Sequence, residues 1–201
     1  MNSELLDQVS SQLGANGLPY IIPIHPNLVH LTLGLFIIAI TCDFIGVMFP
    51  IQKPIFKFLA LPATAANFFD VGWYNMLASA IITFFTVAAG FYEIMLAQPE
   101  AGDKSAWGMR AMETMLWHGV GGVFLFALIA GMALWRGLQR YFWRKSEERQ
   151  VQWGYLLVGL IVMFIMYLHG TLGAQMAAEF GVHNTADTLL RLGENPNAIL
   201  K

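Results

Sequence analysis

Four long apolar runs dominate the pattern of hydrophobic and polar positions along the chain. They are Asn27–Phe49, Val71–Ala97, Met112–Trp135 and Val151–Ala178. Each run exceeds the roughly 20 residues that a helix needs to cross the hydrocarbon core of a bilayer. The pattern therefore predicts an all-α integral membrane protein, a four-helix bundle in which residues 1–201 form a single four-span domain.

The segments between the runs predict short interfacial elements. Ser3–Leu13 places its large apolar residues on one helical face, which is typical of a helix lying on the membrane surface. The connection Pro50–Asp70 contains the apolar and aromatic run Ile55–Leu59, and we expect an interfacial segment there. Asn184–Leu192 has the pattern of a capped amphipathic helix.

The composition agrees with a membrane protein and excludes several kinds of site. The chain is 57% hydrophobic and 12% charged, with a mean hydropathy of +0.56. The single cysteine, Cys42, rules out an internal disulfide, a covalently attached CxxCH haem and a thiolate iron–sulfur cluster within one chain. The sequence has no HExxH, P-loop or dinucleotide-binding motif, so it assigns no enzymatic reaction.

The distribution of lysine and arginine predicts the orientation in the membrane. One side carries seven basic residues: Lys53, Lys57, Arg136, Arg140, Arg144, Lys145 and Arg149. The other carries four: Lys104, Arg110, Arg191 and Lys201. Because cytoplasmic loops are enriched in lysine and arginine, we expect both termini on the periplasmic or lumenal side.

All five histidines fall on the predicted outer side. They are His25, His30, His118, His169 and His183. Three of them, His30, His118 and His169, lie inside separate spans, roughly 25–30 Å from the cytoplasmic end at 1.5 Å per residue. Ionisable residues inside a bilayer are costly and commonly functional, so three imidazoles at one depth indicate a ligand set.

A glycine follows each of these three histidines by four residues. The glycines are Gly34, Gly122 and Gly173. Positions four apart share a helix face, so each imidazole stands beside a patch without a side chain, as a flat macrocycle between helices requires. Small residues also let bare helices pack closely, and this alternative explains the glycines equally well.

Haem b is the first cofactor that this pattern suggests, because neutral imidazoles hold it without covalent attachment. Two of the three histidines would be axial ligands, with His118 and His169 favoured and His30 next. There are two alternatives to haem. One is a chlorin such as chlorophyll, bound through one imidazole, and the other is a copper, iron or zinc ion held by all three histidines. Glu93 and His25 are expected to support the ligands from a second layer, although Glu93 could also be a ligand, a proton-exchange group or a solvated acid.

Two motifs resemble those of a bacterial family of predicted four-span membrane proteins of unknown function. The sequence from Ile24 to His30 is similar to that family's HPxxVH signature, and His169–Ala174 followed by Phe180–His183 is similar to its second motif. The resemblance implies roles for His25, Pro26, His30, His169 and Gly173, with His118 matching a third-span histidine and haem as the bound group. The flanking segments look most like cyanobacterial members, which implies a thylakoid or plasma membrane.

Three functional hypotheses follow from the sequence. The first is a b-type cytochrome that transfers electrons at the outer face, with a quinone or a soluble periplasmic or lumenal carrier as partner. The second is a non-redox accessory subunit, pigment-binding or structural, of a photosynthetic or respiratory complex. The third is a histidine-based metal-binding membrane protein. A homodimer or a larger membrane complex is compatible with all three, and no basic tract suggests nucleic acid.

Overall fold

The computed structural model describes residues 16–20, 22–60, 62–97, 104–143, 151–195 and 198. The helix predicted at Ser3–Leu13 lies outside these ranges.

The described residues form five α-helices. They are α1 (Ile24–Phe58), α2 (Ala65–Leu96), α3 (Ala111–Leu138), α4 (Trp153–Ala178) and α5 (Thr185–Arg191), with a π-helical turn at Gln139–Trp143 after α3. Four of these helices, with α3 and its π-turn counted together, are long and apolar enough to cross a membrane. The prediction of an all-α protein with four membrane-spanning helices is confirmed.

The helices extend beyond most of the predicted span limits. The largest difference is in α1, which passes through Pro50 and Pro54 and ends at Phe58. The run Ile55–Leu59, predicted as a separate interfacial segment, therefore lies almost wholly in the last turn of α1. Proline removes one helical hydrogen bond but does not end a helix when neighbouring packing compensates, and such prolines are common in membrane helices.

The chain divides into two compact units. The terminal unit comprises Met1–Asn27, Ala88–Gly121 and His169–Lys201, and the middle unit comprises Leu28–Val87 and Gly122–Leu168. Each has its own buried cluster. The cluster of the middle unit includes Phe36, Phe69 and Ile129, and that of the terminal unit includes Met115, Met176 and Phe180.

The short helix α5 has capping contacts at both ends. The side-chain oxygen of Asn184 accepts a hydrogen bond from the backbone N–H of Ala186 at 3.1 Å, which satisfies a first-turn donor. At the other end Gly193 has φ of +78°, and the N–H of Glu194 donates to the carbonyl of Leu189. This left-handed glycine after the last turn is the usual way to end a helix. The helix predicted at Asn184–Leu192 is thus confirmed.

Candidate histidine site

Three histidine side chains come together in the terminal unit, each from a different helix. The rings of His118 (α3) and His169 (α4) stack with centroids 4.3 Å apart and planes 4° from parallel. His25, in the first turn of α1, lies edge-on to His118, with centroids 5.9 Å apart and planes at 89°. His118 is buried, and the other two are half-buried. We call His25, His118 and His169 the histidine cluster.

Three glycines make room for the rings of this cluster. A Cβ atom on Gly90 would come within 2.8 Å of the His25 ring, one on Gly121 within 2.7 Å of His169 Nδ1, and one on Gly173 within 3.0 Å of the His118 ring. Each glycine therefore serves an imidazole from a neighbouring helix. Gly173 was predicted as a site residue, whereas Gly90 and Gly121 take the places expected for Gly34 and Gly122.

One ring nitrogen of His118 is buried without a partner. The Nδ1 atom has no hydrogen-bond partner among the residues that the structure describes. The ring itself is held between the stacked ring of His169 and the edge-on ring of His25. A neutral imidazole carries a lone pair on one of its two nitrogens, so His118 offers a candidate ligand atom in a buried position.

Glu93 supports this cluster through the backbone of α1 rather than through a ring. Its Oε1 atom accepts hydrogen bonds from the backbone N–H of His25 at 3.0 Å and from the hydroxyl of Tyr20 at 2.9 Å. A carboxylate at the first turn of a helix satisfies an unpaired N–H and interacts favourably with the helix dipole. Burial and the Glu93 carboxylate together raise the pKa of Tyr20 above its usual value. Glu93 itself is buried, which differs from the solvated acid that was one reading of the sequence.

His183 contacts two other segments of the terminal unit through its ring nitrogens. Its Nε2 lies 2.9 Å from the carbonyl oxygen of Glu93, near the end of α2, and its Nδ1 lies 3.2 Å from that of Asn16. Both partners are carbonyl oxygens, which accept hydrogen bonds, so a ring nitrogen of His183 donates to either one when it carries a proton. The residue holds this position with a φ of +54°, in the left-handed region. His183 thereby connects the C-terminal end of α2 to residues 16–20.

His30, Gly34 and Gly122 belong to the middle unit. His30 is exposed on α1, and an added Cβ on Gly34 would meet no atom within 4 Å. Within the described ranges, no group of three or more His, Cys, Asp or Glu side chains is arranged to hold a metal ion. The described residues therefore do not form a ready-made site in which three histidines hold a bare metal ion.

A comparison with known families identifies the chain. The family described as predicted membrane protein DUF2231 matches residues 21–186, which include all four long helices and the histidine cluster. The chain belongs to the DUF2231 family. The resemblance noted in the HPxxVH segment and in the fourth span is therefore confirmed at the level of a predicted membrane protein family. No curated protein and no solved structure matches this DUF2231 chain.

Several residues of the DUF2231 site escaped the sequence analysis. Gly121 precedes the glycine chosen by i+4 spacing, and only the helix packing reveals which of the two adjacent glycines adjoins an imidazole. Tyr20 and Asn16 lie before the first span and belong to no motif. The available signal for the capping role of Glu93 was its position near the end of its span, three residues before the end of α2 and opposite the start of α1.

Proposed function

We propose that this DUF2231 protein is a membrane redox protein that binds haem b through the histidine cluster, with His118 as an iron ligand. The observation that carries the proposal is the buried, unpartnered Nδ1 of His118 among the described residues. The stacked ring of His169 holds the His118 ring in orientation. Metal-ligating histidines are usually oriented by neighbouring groups in this way.

The number of available donors favours haem over a bare metal ion. A structural or catalytic ion such as zinc takes three or four protein ligands, and the described residues offer no such group. Haem iron already has four porphyrin nitrogens and needs only one or two protein ligands. The donor set of the histidine cluster fits that smaller requirement.

The spacing of the rings favours His25 as the second ligand. An imidazole nitrogen would lie about 2 Å from a metal that it holds, so two rings that share one metal would need a gap between them. The centroids of His25 and His118 are 5.9 Å apart, whereas the stacked pair His118 and His169 is separated by only 4.3 Å. In this arrangement His169 orients and shields His118, and His25 has the separation of a ligand.

Haem supplies reversible one-electron transfer when it is bound. The protein contributes the buried Nδ1 atom of His118, the stacked ring of His169 that orients it, and glycines that let the rings approach neighbouring helices. Glu93 positions His25 by holding its backbone N–H. A lipid-soluble quinone in the plasma or thylakoid membrane, or a soluble carrier on the periplasmic or lumenal side, would complete the electron-transfer path.

The test is an absorption spectrum of the purified protein, recorded as isolated and after dithionite, together with its iron content. We expect a Soret band and α and β bands that sharpen on reduction. His118→Ala and His25→Ala should lose most of the bound haem, while the matched control His30→Ala should keep it. His169→Ala should retain iron with a shifted spectrum.

Two results would count against this proposal. A colourless protein without iron, purified from cells that synthesise haem, would disprove the proposal. Copper or zinc in that preparation would point to the bare-ion alternative. Full haem content in His118→Ala would show that the unpartnered nitrogen is not the ligand.

A further inference from the structure

A second polar site, which includes no histidine, lies in the middle unit. Arg136 of α3 and Asp43 of α1 form an ion pair, with Nε to Oδ2 at 2.9 Å and Nη2 to Oδ1 at 3.0 Å. Both side chains are 0% exposed. Gly72 on α2 leaves the space for Asp43, because an added Cβ there would collide with the carboxylate. Charged side chains inside spanning helices are rare and usually functional.

Three buried polar atoms beside this pair have no hydrogen-bond partner among the described residues. They are Arg136 Nη1, Gln139 Nε2 and the hydroxyl oxygen of Tyr155, and all three residues are 0% exposed. Leaving such an atom unpaired in a protein interior is costly. Three of them in one unit call for a common explanation, such as water or a ligand that supplies an acceptor.

The three residues converge through short links. Arg136 and Gln139 are three residues apart and share a face at the end of α3. The Oε1 atom of Gln139 accepts the backbone N–H of Gln152 at 3.1 Å, and Tyr155 follows Gln152 by one turn at the start of α4. Tyr155 also lies within electrostatic range of both Arg136 and Asp43. The free guanidinium N–H, the free amide N–H and the phenol thus belong to one polar cluster.

The chemistry of this cluster selects a neutral acceptor. The free atoms of Arg136 and Gln139 are donors only, so a ligand must present acceptor oxygens. Asp43 already neutralises Arg136, and Asp70 neutralises Arg140 at 2.8 Å. An anionic ligand would therefore add an uncompensated buried charge. Carbonyl oxygens meet the requirement without that cost.

The surroundings of the cluster are aromatic, and exposed apolar side chains lie nearby in the sequence. The Phe69 ring lies 5.9 Å from the Arg136 guanidinium carbon, and Trp135 meets the Tyr155 ring edge-on at 5.8 Å. Trp153 and Leu157, two positions before and after Tyr155, are both largely exposed. A flat ring that arrives from the membrane would meet aromatic side chains and hydrogen-bond donors together.

We infer that the Arg136–Gln139–Tyr155 cluster binds the carbonyl-bearing headgroup of a lipid-soluble quinone. A quinone has the neutral charge, the acceptor oxygens, the planar ring and the membrane solubility that the cluster requires. The half-buried Trp135 contacts the Tyr155 ring edge-on, and movement of its side chain would admit the quinone ring. This inference does not depend on haem binding at the histidine cluster.

The experiment uses the full chain in lipid nanodiscs titrated with decylubiquinone, with binding followed by quenching of tryptophan fluorescence. We expect saturable quenching in the wild type. Gln139→Leu and Tyr155→Phe should each weaken binding about tenfold or more, the usual effect of removing one buried hydrogen bond to a ligand. Gln152→Leu is the matched control, because its exposed side chain takes no part while its backbone is retained.

Thermal unfolding separates a quinone from ordered water. Without quinone, Tyr155→Phe should unfold at a temperature equal to or above that of the wild type, since it removes an unpaired buried hydroxyl. With quinone, the wild type and Gln152→Leu should gain stability, whereas Tyr155→Phe and Gln139→Leu should gain much less. Non-saturable quenching in the wild type, or equal affinity in Tyr155→Phe and Gln139→Leu, would overturn the inference and leave water as the occupant. His118→Ala should bind decylubiquinone normally, so a failure of haem binding leaves this result readable.

Discussion

At the scale of single residues, glycine positions decide how the imidazoles are arranged. The sequence pattern paired each histidine with the glycine four residues later on the same helix. The structure instead pairs each ring with a glycine of another helix, as His169 with Gly121 and His118 with Gly173. Spacing along one helix reports which residues share a face, but it cannot report which face meets a neighbour.

Gly121 and Gly34 offer a direct comparison. Gly121→Ala places a Cβ within 2.7 Å of His169 Nδ1, whereas Gly34→Ala meets nothing within 4 Å. We expect Gly121→Ala to destabilise the protein by about 1–3 kcal/mol through overpacking. Gly34→Ala should be neutral or stabilise it by about 0.5–1 kcal/mol, as alanine does within helices. Unfolding in mixed detergent and SDS measures both values, and equal stability of the two variants would contradict the assignment of Gly121 to the ring contact.

Tyr20 should ionise later than an ordinary tyrosine. Burial and the hydrogen bond to Glu93 raise its pKa, so the folded state keeps its proton above the usual tyrosine pKa of about 10. Its contribution to stability is therefore complete below about pH 10 and is lost as the pH rises towards the folded pKa. A difference titration of tyrosinate absorbance between the wild type and Tyr20→Phe should show a component that titrates after the exposed tyrosines. A component near pH 10 would show that the contact with Glu93 is weak in solution.

At the scale of elements, the helices meet through buried polar contacts that hydropathy does not reveal. In the sequence Arg136 directly follows the apolar run of the third span, which predicts a flanking cytoplasmic charge. In the structure α3 continues past it and Asp43 of α1 neutralises it. Hydropathy identified the four helices well, but pairing between charges 93 residues apart in sequence depends on which helix faces meet. The ends of α1 were misjudged for a similar reason, since Pro50 was taken as a stop.

Removing one partner of the Asp43–Arg136 pair should cost much more stability than removing one partner of the Arg140–Asp70 pair. Asp43→Ala leaves Arg136 buried without its counter-ion, which costs about 3–5 kcal/mol. Asp70 is 33% exposed, so Asp70→Ala should cost less than about 1 kcal/mol. Unfolding of both variants under identical detergent conditions provides the comparison. The double variant Asp43→Leu/Arg136→Met should recover much of the loss, and a failure to do so would mean that the pair is needed for more than charge balance.

His183 should hold residues 16–20 against the end of α2. Its ring bonds one carbonyl in each segment, and the carbonyl of Glu93 is among the last four of α2, which have no helical donor. We expect His183→Phe to release the N-terminal segment and to increase its rate of cleavage by added protease about threefold or more, as local opening becomes easier. The control is His30→Phe, which changes an exposed histidine of the middle unit. Unchanged cleavage in His183→Phe would show that other contacts, such as that of Tyr20 with Glu93, are sufficient.

At the scale of the whole molecule, the structure weakens one argument for orientation. Two of the seven basic residues counted on the cytoplasmic side, Arg136 and Arg140, lie in helical segments and are paired with aspartates. A buried, paired arginine is not a loop charge. The basic residues that the positive-inside rule can count therefore fall to five on the predicted cytoplasmic side, against four on the other side. The prediction that both termini lie outside then rests chiefly on Lys53, Lys57 and the basic residues of segment 144–149. Segment 144–149 lies outside the described ranges.

Cysteine labelling tests this orientation, because the chain has a single native cysteine, Cys42, that can be replaced by serine. In that background we would introduce either Ala106→Cys or Lys57→Cys, which are both at exposed positions. Ala106 lies just before the start of α3, and Lys57 lies in the last turn of α1. In intact cells a membrane-impermeant maleimide should label Ala106→Cys fully and Lys57→Cys only after permeabilisation. The reverse pattern would place the histidine cluster on the cytoplasmic side. Its electron-transfer partners would then be cytoplasmic, while the ligand chemistry of His118 and the quinone inference would stand unchanged, since both rest on contacts within one unit.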